Sequence, residues 1–207
     1  MKIVVIGAGG HAKVVLDVAR STGMSDADVL GFVDDNVALI GTRVSGFPVI
    51  GPIDALPPPR EARVIMGIGD NALRCRLFAR LRERGYEILT VIHRSAIVAP
   101  GCTLGDGVVV MAQAAVNVDT RIGDNVVLNT GCTVDHDCAI GAHAHIAPGA
   151  NLAGGVVIGE QTLIGIGSAV IPGVAIGPRT IVGAGSVVTK DIGADCVVAG
   201  VPARVIR

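Results

Sequence analysis

The sequence predicts a small α/β domain of the βαβ type with a parallel sheet, followed by a parallel β-helix. Three observations support this class. An aliphatic residue recurs at every sixth position from Val98 to Val188. Five of these aliphatics, spaced eighteen residues apart, are followed at once by glycine. At the N-terminus, a short apolar run leads into a glycine-rich turn and then into a segment with helical periodicity.

The six-residue period fits neither the helical 3.6 nor the strand period of 2, so it indicates a repeat architecture. Every step holds Leu, Ile or Val: Val98, Leu104, Val110, Val116, Ile122, Leu128, Val134, Ile140, Ile146, Leu152, Ile158, Ile164, Val170, Ile176, Val182 and Val188. Hexads in groups of three predict a triangular coil of about eighteen residues, with one short strand per side and the aliphatic side chain inward. The glycines fit corners that need a positive φ or a close backbone approach. They are Gly105, Gly123, Gly141, Gly159 and Gly177. Residues 93–190 are therefore predicted as the β-helix, and residues 191–207 as a tail that contains the segment GVPAR.

Residues 1–92 are predicted as the α/β domain, since strands and helices alternate there. The expected strands are Lys2–Gly7, Val29–Val33, Ala62–Ile68 and Glu87–Ile92, and the expected helices end near Thr22 and span about Ala72–Arg84. Residues 36–60 read as a Pro/Gly-rich connection with a short apolar piece near Val49. Ligand-binding loops are expected at the carboxyl ends of the strands.

The first of these loops, GAGGHAK at residues 7–13, has the strand–turn–helix arrangement that aims backbone N–H groups at phosphate. It lacks the third glycine of GxGxxG, so the full dinucleotide fingerprint is not met. A sugar nucleotide fits a domain of this small size better than NAD. Asp34 and Asp35 follow the second strand and could accept hydrogen bonds from a ribose or a base. His11 could touch phosphate or sugar, and Gly69 lies where the backbone approaches a ligand or a neighbouring loop. A tight turn without any ligand is the alternative.

In the β-helix the most informative side chain is His136, which lies between Asp135 and Asp137. It comes two positions after the inward Val134, so we expect it to point out of the prism. An imidazole held by a carboxylate through one nitrogen can take a proton on the other. His145 is nine residues further on, one and a half hexads, and is expected on a different face. Such groups meet most easily across an interface between two prisms.

Net charge, hydropathy and cysteine content argue against several classes of protein. The net charge is −1 and no Lys/Arg cluster appears, so nucleic acid is not an expected partner. No signal-peptide pattern or membrane-length apolar run is present, which favours a cytoplasmic protein without membrane association. The five cysteines show no CxxC spacing and are expected to be reduced.

The GAGGHAK start, the segment GIGDN at residues 67–71, the stretch LNTGCTVDHDC at residues 128–138 and the terminal GVPAR carry a resemblance to a known family. The chain resembles the left-handed β-helix acyltransferases built on hexapeptide repeats. More narrowly, it resembles the subgroup that acetylates sialic acid or nucleotide-linked amino sugars, such as bacillosamine and perosamine precursors. The resemblance implies a left-handed β-helix, a homotrimer with active sites between neighbouring β-helices, acetyl-CoA as cosubstrate and no metal.

The resemblance also assigns roles to individual residues. His136 would be the base that takes a proton from the sugar amine, and Asp137, where the family often has glutamate, would hold and polarise it. His145 would hydrogen-bond the acyl-CoA. Further matched positions are Gly154, Ile166 and Ala184 for the pantetheine arm, and His11, Asp34, Asp35 and Gly69 for the sugar nucleotide.

The expected activity is acetyl-CoA-dependent N-acetylation of a nucleotide-linked 4-amino-deoxy sugar in surface glycan biosynthesis, with UDP and GDP both open. Transfer is expected to be direct, because no cysteine has a histidine placed as its base. O-acetylation of sialic acid is the main alternative within the family. Two others remain: a zinc hydratase that uses His136, His143 and His145, and a non-catalytic sensor of nucleotide sugars.

Overall fold

The computed structural model describes all 207 residues, which form two compact units of residues 1–94 and 95–207. The first is a small α/β unit and the second a β-helix of three parallel sheets. The predicted fold class, an α/β domain followed by a left-handed parallel β-helix, is confirmed.

The α/β unit is built around a five-stranded sheet. Its elements are β1 (Lys2–Ile6), α1 (Gly10–Ser21), β2 (Val29–Val33), β3 (Arg43–Val44), β4 (Phe47–Gly51), β5 (Ala62–Met66), α2 (Asn71–Glu83) and β6 (Val91–Ile92), with 3₁₀ turns at Asp26–Asp28 and Ile53–Ala55. The sheet order is β3-β4-β2-β1-β5, and every pair except the β3–β4 hairpin is parallel. The loops after β1, β2 and β5 therefore lie at one edge of the sheet.

The two faces of this sheet carry separate cores, because side chains alternate along β1. Val4 and Ile6 pack in one cluster with residues of α2 such as Leu77. Val5 packs in the other cluster with residues of α1 such as Leu16. The unit thus has three layers, helix on sheet on helix. Neither helix, nor any other in the structure, combines the length and hydropathy needed to span a membrane.

Two predicted segments differ in the structure. Residues 36–60 are more than a connection, because they contain the β3–β4 hairpin and place Val49 in β4, between β3 and β2. The expected strand over Glu87–Ile92 is reduced to a single bridge between Ile88 and Val64 and to the two-residue β6. An apolar run in the sequence predicts that side chains are buried, but it does not predict how many residues pair with a neighbouring strand. Here Ile88 packs in the α2-side cluster, whereas Leu89 is only half-buried.

The β-helix consists of stacked coils with three two-residue strands each, which form sheets named I, II and III. Sheet I contains β7 (Ile97–Val98), β10 (Ala115–Val116), β13 (Thr133–Val134), β16 (Asn151–Leu152), β19 (Ala169–Val170) and β22 (Val187–Val188). Sheet II contains β8 (Thr103–Leu104), β11 (Arg121–Ile122), β14 (Ala139–Ile140), β17 (Val157–Ile158) and β20 (Ala175–Ile176). Sheet III contains β9 (Val109–Val110), β12 (Val127–Leu128), β15 (His145–Ile146), β18 (Leu163–Ile164) and β21 (Ile181–Val182). It is extended by β23 (Val197–Gly200), parallel to β21, and by β24 (Ala203–Val205), antiparallel to β23.

The hexad aliphatics form the interior of this prism, as predicted. Every hexad position from Val110 to Val188 is buried, and only Val98 and Leu104, in the first coil, are half-buried. Partners in each ladder are eighteen residues apart, for example Val116 and Val134. Each coil therefore buries its aliphatics against the coils before and after it.

The glycines that follow the hexads are required by close coil stacking, not by a positive φ. A Cβ added at Gly141 would lie 2.6 Å from the backbone nitrogen of Glu160 and 2.8 Å from the carbonyl carbon of Gly159. A positive φ occurs instead two residues later in the same corner, for example at His143 with φ 62°. Of the two reasons the sequence left open for these glycines, close approach is the one that applies.

We expect Gly141→Ala to destabilise the β-helix by about 1–3 kcal/mol, because backbone atoms of the next coil cannot move away from the new methyl group. Gly193→Ala is a matched control, since it lies beyond Gly177 at the same corner in the last coil and nothing is within 4 Å of its added Cβ. Denaturant unfolding followed by circular dichroism measures the difference. Equal unfolding midpoints for the two variants would contradict the stacking argument.

Candidate active site

The corner at residues 135–138, between sheets I and II, carries the side chains expected to do chemistry. His136 points out of the prism with its side chain 55% exposed. Its Nδ1 lies 2.7 Å from Oδ2 of Asp137. Asp137 has φ 59°, the left-handed conformation that aspartate tolerates better than most residues. The Asp137 carboxylate is therefore long enough to reach the ring.

The coil after this corner supplies the surface beneath the imidazole. A Cβ added at Gly154 would lie 2.6 Å from Cε1 and 2.7 Å from Nε2 of His136. Gly154 therefore leaves the space that the ring occupies, and any larger residue would push the ring away. The two residues are eighteen apart, so the stacking of the coils brings them together.

Asp135 fixes the same corner from the other side. Its Oδ1 accepts a hydrogen bond from Nδ2 of Asn117, in the preceding coil, at 2.8 Å. The same oxygen accepts the backbone N–H of His136 at 2.9 Å. The hydrogen bond from Asn117, with that from the His136 backbone, holds the pKa of Asp135 below its usual value, so this carboxylate stays anionic.

These contacts define the protonation chemistry of His136. The pKa of His136 is raised, first by the hydrogen bond to Asp137 and next by the charge of Asp135. Because an ionised carboxylate can only accept a hydrogen bond, the hydrogen of the neutral ring must be on Nδ1. Nε2 then carries the lone pair. That lone pair is free to accept a proton, and it becomes available as the pH rises through the raised pKa.

A groove of about 470 Å³ runs along sheet I beside this corner. Its polar lining comes from Asn117, Thr133, Asp135 and Asn151, and its apolar lining includes Ile171. Oγ1 of Thr133 donates to Oδ1 of Asn151 at 2.8 Å, which orders that wall. The groove offers hydrogen-bonding groups next to the histidine.

His145 is held apart from this group, on sheet III, as the spacing of nine predicts. Its Nε2 is 3.0 Å from Nδ2 of Asn129, and Oδ1 of Asn129 accepts the N–H of Thr130 at 2.8 Å. The amide is thereby oriented with its NH₂ toward the ring. Nε2 of His145 therefore accepts, and the neutral ring carries its hydrogen on Nδ1.

Ile166 and Ala184 lie at the corner between sheets III and I, and both are exposed. They are stacked, because the N–H of Gly185 donates to the carbonyl of Ile166 at 2.8 Å. This corner is at the start of the sheet I strands, whereas His136 and Gly154 are at their end. Within one chain, His136 is therefore close to Gly154, and Ile166 is close to Ala184, but the two pairs lie at different corners.

In the α/β unit, His11 and Gly69 are neighbours, since a Cβ added at Gly69 would lie 3.7 Å from Cγ of His11. Beneath them is Arg74, fully buried, whose Nη1 donates to the carbonyl of Gly69 at 3.2 Å. Burial, with the nearby Arg74 charge second, lowers the pKa of His11 to about 4. The ring is neutral at physiological pH, so it can offer a hydrogen bond but no positive charge to a phosphate.

Asp34 and Asp35 order the loops around the start of α1. Asp34 accepts the N–H of Ala8 at 2.7 Å and that of Asn36 at 2.8 Å. Asp35 accepts the N–H of Ile53 at 2.9 Å. The helix begins after Gly9 without a side-chain cap, so its first N–H groups face outward, as anion binding requires. Asp34 ties the second strand to the glycine-rich turn, a structural role that the sequence did not reveal.

Two buried thiols lie on either side of strand β13, Cys132 directly before it and Cys138 in the His136 corner after it. Cys138 is buried, and its Sγ donates to the carbonyl of Ala153 at 3.3 Å. Burial raises the pKa of Cys138, and it raises that of Cys132 to about 12. Both thiols stay protonated at neutral pH, so neither is an activated nucleophile.

Three residues that support the site were not predicted from the sequence. Arg74 belongs to the buried stripe of α2 with Leu77, Phe78 and Leu81, a spacing that could have shown it to face the core. Asn117 lies eighteen residues before Asp135, so the coil repeat itself was the available signal. Thr120 lies eighteen residues before Cys138, and its hydroxyl contacts the His136 corner from within.

The three histidines considered for zinc do not converge. His136 bonds Asp137, His145 bonds Asn129, and Nδ1 of His143 is 2.8 Å from Nδ2 of Asn125. No group of three or more His, Cys, Asp or Glu side chains in the structure has the arrangement of metal ligands.

Comparison with known families gives two matches along the chain. Residues 2–81 match the PglD N-terminal domain. Residues 119–154 and 155–190 match the bacterial transferase hexapeptide family, described as six repeats.

Individual relatives extend this similarity. The chain is 34% identical over 114 residues to UDP-N-acetylbacillosamine N-acetyltransferase of Bacillus subtilis, a stretch that spans 53% of this chain and only 51% of that relative. The crystal structure of PerB from Caulobacter crescentus in complex with CoA and GDP-perosamine has a TM-score of 0.93 and 46% identity, over 100% of this chain and 98% of that one. The acetyltransferase domain of PglB from Neisseria gonorrhoeae has a TM-score of 0.93 and 38% identity, with 99% of both chains covered.

Replacing Asp137 by asparagine should lower the pKa of His136 toward its ordinary value, because the anionic acceptor on Nδ1 is lost. NMR titration of the imidazole measures this. Asp119→Asn is a matched control, because Asp119 has the same left-handed conformation at the same corner one coil earlier. The assignment of Asp137 fails if both variants titrate like the unmodified protein.

Proposed function

The chain belongs to the hexapeptide-repeat bacterial transferases that carry a PglD-type N-terminal domain, and on this premise we propose that it is an acetyl-CoA-dependent N-acetyltransferase. Its acceptor is the amine of a nucleotide-linked 4-amino-deoxy sugar used in surface glycan biosynthesis. The observation that carries the proposal is the His136–Asp137 pair, which leaves Nε2 of the ring ready to accept a proton. GDP-perosamine, the ligand of the structurally similar PerB, is an acceptor of this class.

The proposed reaction is direct transfer. The amine nitrogen attacks the thioester carbonyl, and Nε2 of His136 takes a proton from that nitrogen. The C–S bond then breaks, and the CoA sulfur takes the proton from the imidazolium, which releases CoA as a thiol and restores the neutral histidine. Asp137 stabilises the imidazolium that forms. A general base contributes about 10²–10⁴-fold to such a reaction. The protonated state of the buried Cys132 and Cys138 supports a path without an acyl-enzyme.

The cosubstrate would be held by His145, Gly154, Ile166 and Ala184, and the assembly would be a homotrimer. Two features support a site shared between copies. His136 and His145 occupy different faces of one prism, and Ile166 and Ala184 lie at a different corner from Gly154. A cleft between two β-helices would bring one face of each together. Five cysteines without a disulfide support a cytoplasmic location.

The α/β unit would bind the nucleotide part of the acceptor. Uncapped N–H groups at the start of α1 suit a phosphate. His11 and Gly69 lie beside each other, and Asp34 and Asp35 lie after β2 at the same sheet edge. Asp35 is exposed and uses one oxygen for Ile53, so its second oxygen can accept from a base or ribose.

The decisive test is thiol release from acetyl-CoA with UDP- and GDP-linked 4-amino sugars, and with free and CMP-linked sialic acid beside them. We expect turnover with one of the amino sugars. Turnover only with sialic acid would overturn N-acetylation in favour of O-acetylation, and binding of a nucleotide sugar without turnover would favour a sensor.

His136→Ala should remove most turnover, by about 10²–10⁴-fold in kcat, because no other group takes the amine proton. Asp137→Asn should reduce kcat less and move the acidic limb of the pH–rate profile to lower pH, because the pKa of His136 falls. Steady-state kinetics between pH 5 and 9 measure both. Full activity of His136→Ala would exclude it as the base.

Gly154→Ala should lower kcat by roughly tenfold or more, since the new methyl group displaces the imidazole from its position. Gly193→Ala again serves as the control for a glycine-to-alanine change in the same β-helix. Kinetics and thermal melting are measured together. A normal kcat for Gly154→Ala would show that the ring position is not set by this contact.

A further inference from the structure

The corner that carries His136 is closed from inside the prism by one hydroxyl group. Thr120 is fully buried. Its Oγ1 donates to the carbonyl of Asp135 at 2.8 Å and accepts the N–H of Cys138 at 3.1 Å. These two backbone groups are the first and last of residues 135–138, so a single side chain joins both ends of the corner.

We propose that Thr120 is a positioning residue for proton transfer by His136, acting through the backbone of the corner and touching no substrate. This inference rests on the proposed role of His136 as the base. The hydroxyl fixes the separation of the two ends of the corner, and that separation sets the distance between the imidazole and the Asp137 carboxylate.

The corner needs such a constraint because its conformation is not intrinsically favoured. Asp137 has a positive φ, which costs free energy for any residue other than glycine. Backbone bonds to the coils on either side hold the middle: Asp137 N–H to the carbonyl of Val118 at 3.1 Å, and Gly155 N–H to the carbonyl of His136 at 2.9 Å. The ends are held by Thr120, which lies on the opposite side of the backbone from the two functional side chains.

The equivalent positions one coil earlier and one coil later show what is special at Thr120. Cys102 and Cys138 occupy them, and each thiol donates to the carbonyl fifteen residues ahead, that of Asn117 at 3.0 Å and that of Ala153 at 3.3 Å. The contact therefore recurs in three successive coils at this corner. A hydroxyl oxygen is a stronger hydrogen-bond donor and acceptor than a thiol sulfur. Among these three coils, the hydroxyl of Thr120 contacts the corner that carries His136 and Asp137.

The same pair of hydrogen bonds from one threonine hydroxyl to both ends of a corner, called the clamp below, also occurs at a corner without functional residues. Thr162 is also fully buried, and its Oγ1 donates to the carbonyl of Gly177 at 2.8 Å and accepts the N–H of Thr180 at 3.3 Å. That corner, residues 177–180, contains none of the residues assigned to the reaction. Thr162→Val therefore removes the same hydroxyl from the same kind of clamp and leaves the His136 corner unchanged.

The experiment compares Thr120→Val, Thr120→Ser and Thr162→Val in the full chain. The pKa of His136 is measured by NMR titration of its Cε1–H signal, which is assigned by its loss in His136→Ala. The charged groups that act on this ring are Asp135 and Asp137, both in its own corner, and none is altered by the three substitutions. kcat, KM and thermal melting are measured on the same samples.

We expect Thr120→Val to lower the pKa of His136, to move the acidic limb of the pH–rate profile to lower pH, and to reduce kcat by about ten- to a hundredfold. KM for both substrates should change by less than about twofold, because no binding contact is lost. Thr120→Ser should restore the pKa and most of kcat. Thr162→Val should lower the melting temperature to a similar degree without changing the pKa or kcat.

The proposal is overturned if Thr120→Val and Thr162→Val melt alike and both keep the normal pKa of His136, since Thr120 would then be only structural. If Thr120→Val does not fold, Thr120→Ala replaces it, because alanine removes the hydroxyl without adding another donor; a normal His136 pKa and kcat in that variant would also overturn the proposal. The titration needs no substrate. Absence of turnover in the unmodified protein would therefore count against the proposed function and not against the clamp.

Discussion

Backbone hydrogen bonds between successive coils are the constraint on which the β-helix and its candidate site depend. The N–H of Asn117 donates to the carbonyl of Val134, and the N–H of Asp135 donates to that of Leu152. Such bonds place each residue directly against the one eighteen positions away. Asn117 therefore meets Asp135, and His136 meets Gly154, without any local signal in the chain between them. The site is assembled largely by the repeat, and the contacts of His136 with Asp135 and Asp137 are the ones made between sequence neighbours.

Much of this architecture could be predicted because the interior of a β-helix imposes one simple rule. A side chain that points inward every sixth residue must be apolar and of limited size, and the hexads from Val110 to Val188 obey the rule without exception. The outward direction of His136 and the separate face of His145 follow from the same count. In the α/β unit, β2 could be located to the residue because its apolar run ends at the charged pair Asp34 and Asp35.

The features that escaped prediction are those in which a polar group is satisfied by partners distant in sequence. Arg74 reads as one of several arginines on a helix of mixed polarity, and its burial depends on carbonyl groups of the preceding loop. Thr120 reads as an ordinary corner residue until the coil that stacks on it is known. The β3–β4 hairpin was not predicted for a related reason, since β4 is stabilised by pairing with β2, and β3 by pairing with β4, and not by a long apolar pattern.

The protonated thiols inside the prism have a consequence for the handling of the protein. Disulfide exchange requires a thiolate, and burial keeps Cys132 and Cys138 in the thiol form. An acetyltransferase of this kind releases free CoA at every turnover, and CoA oxidises readily to disulfides. Cys132 and Cys138 are therefore protected from forming mixed disulfides with oxidised CoA, and the β-helix wall beside the His136 corner is not modified by the product of the reaction.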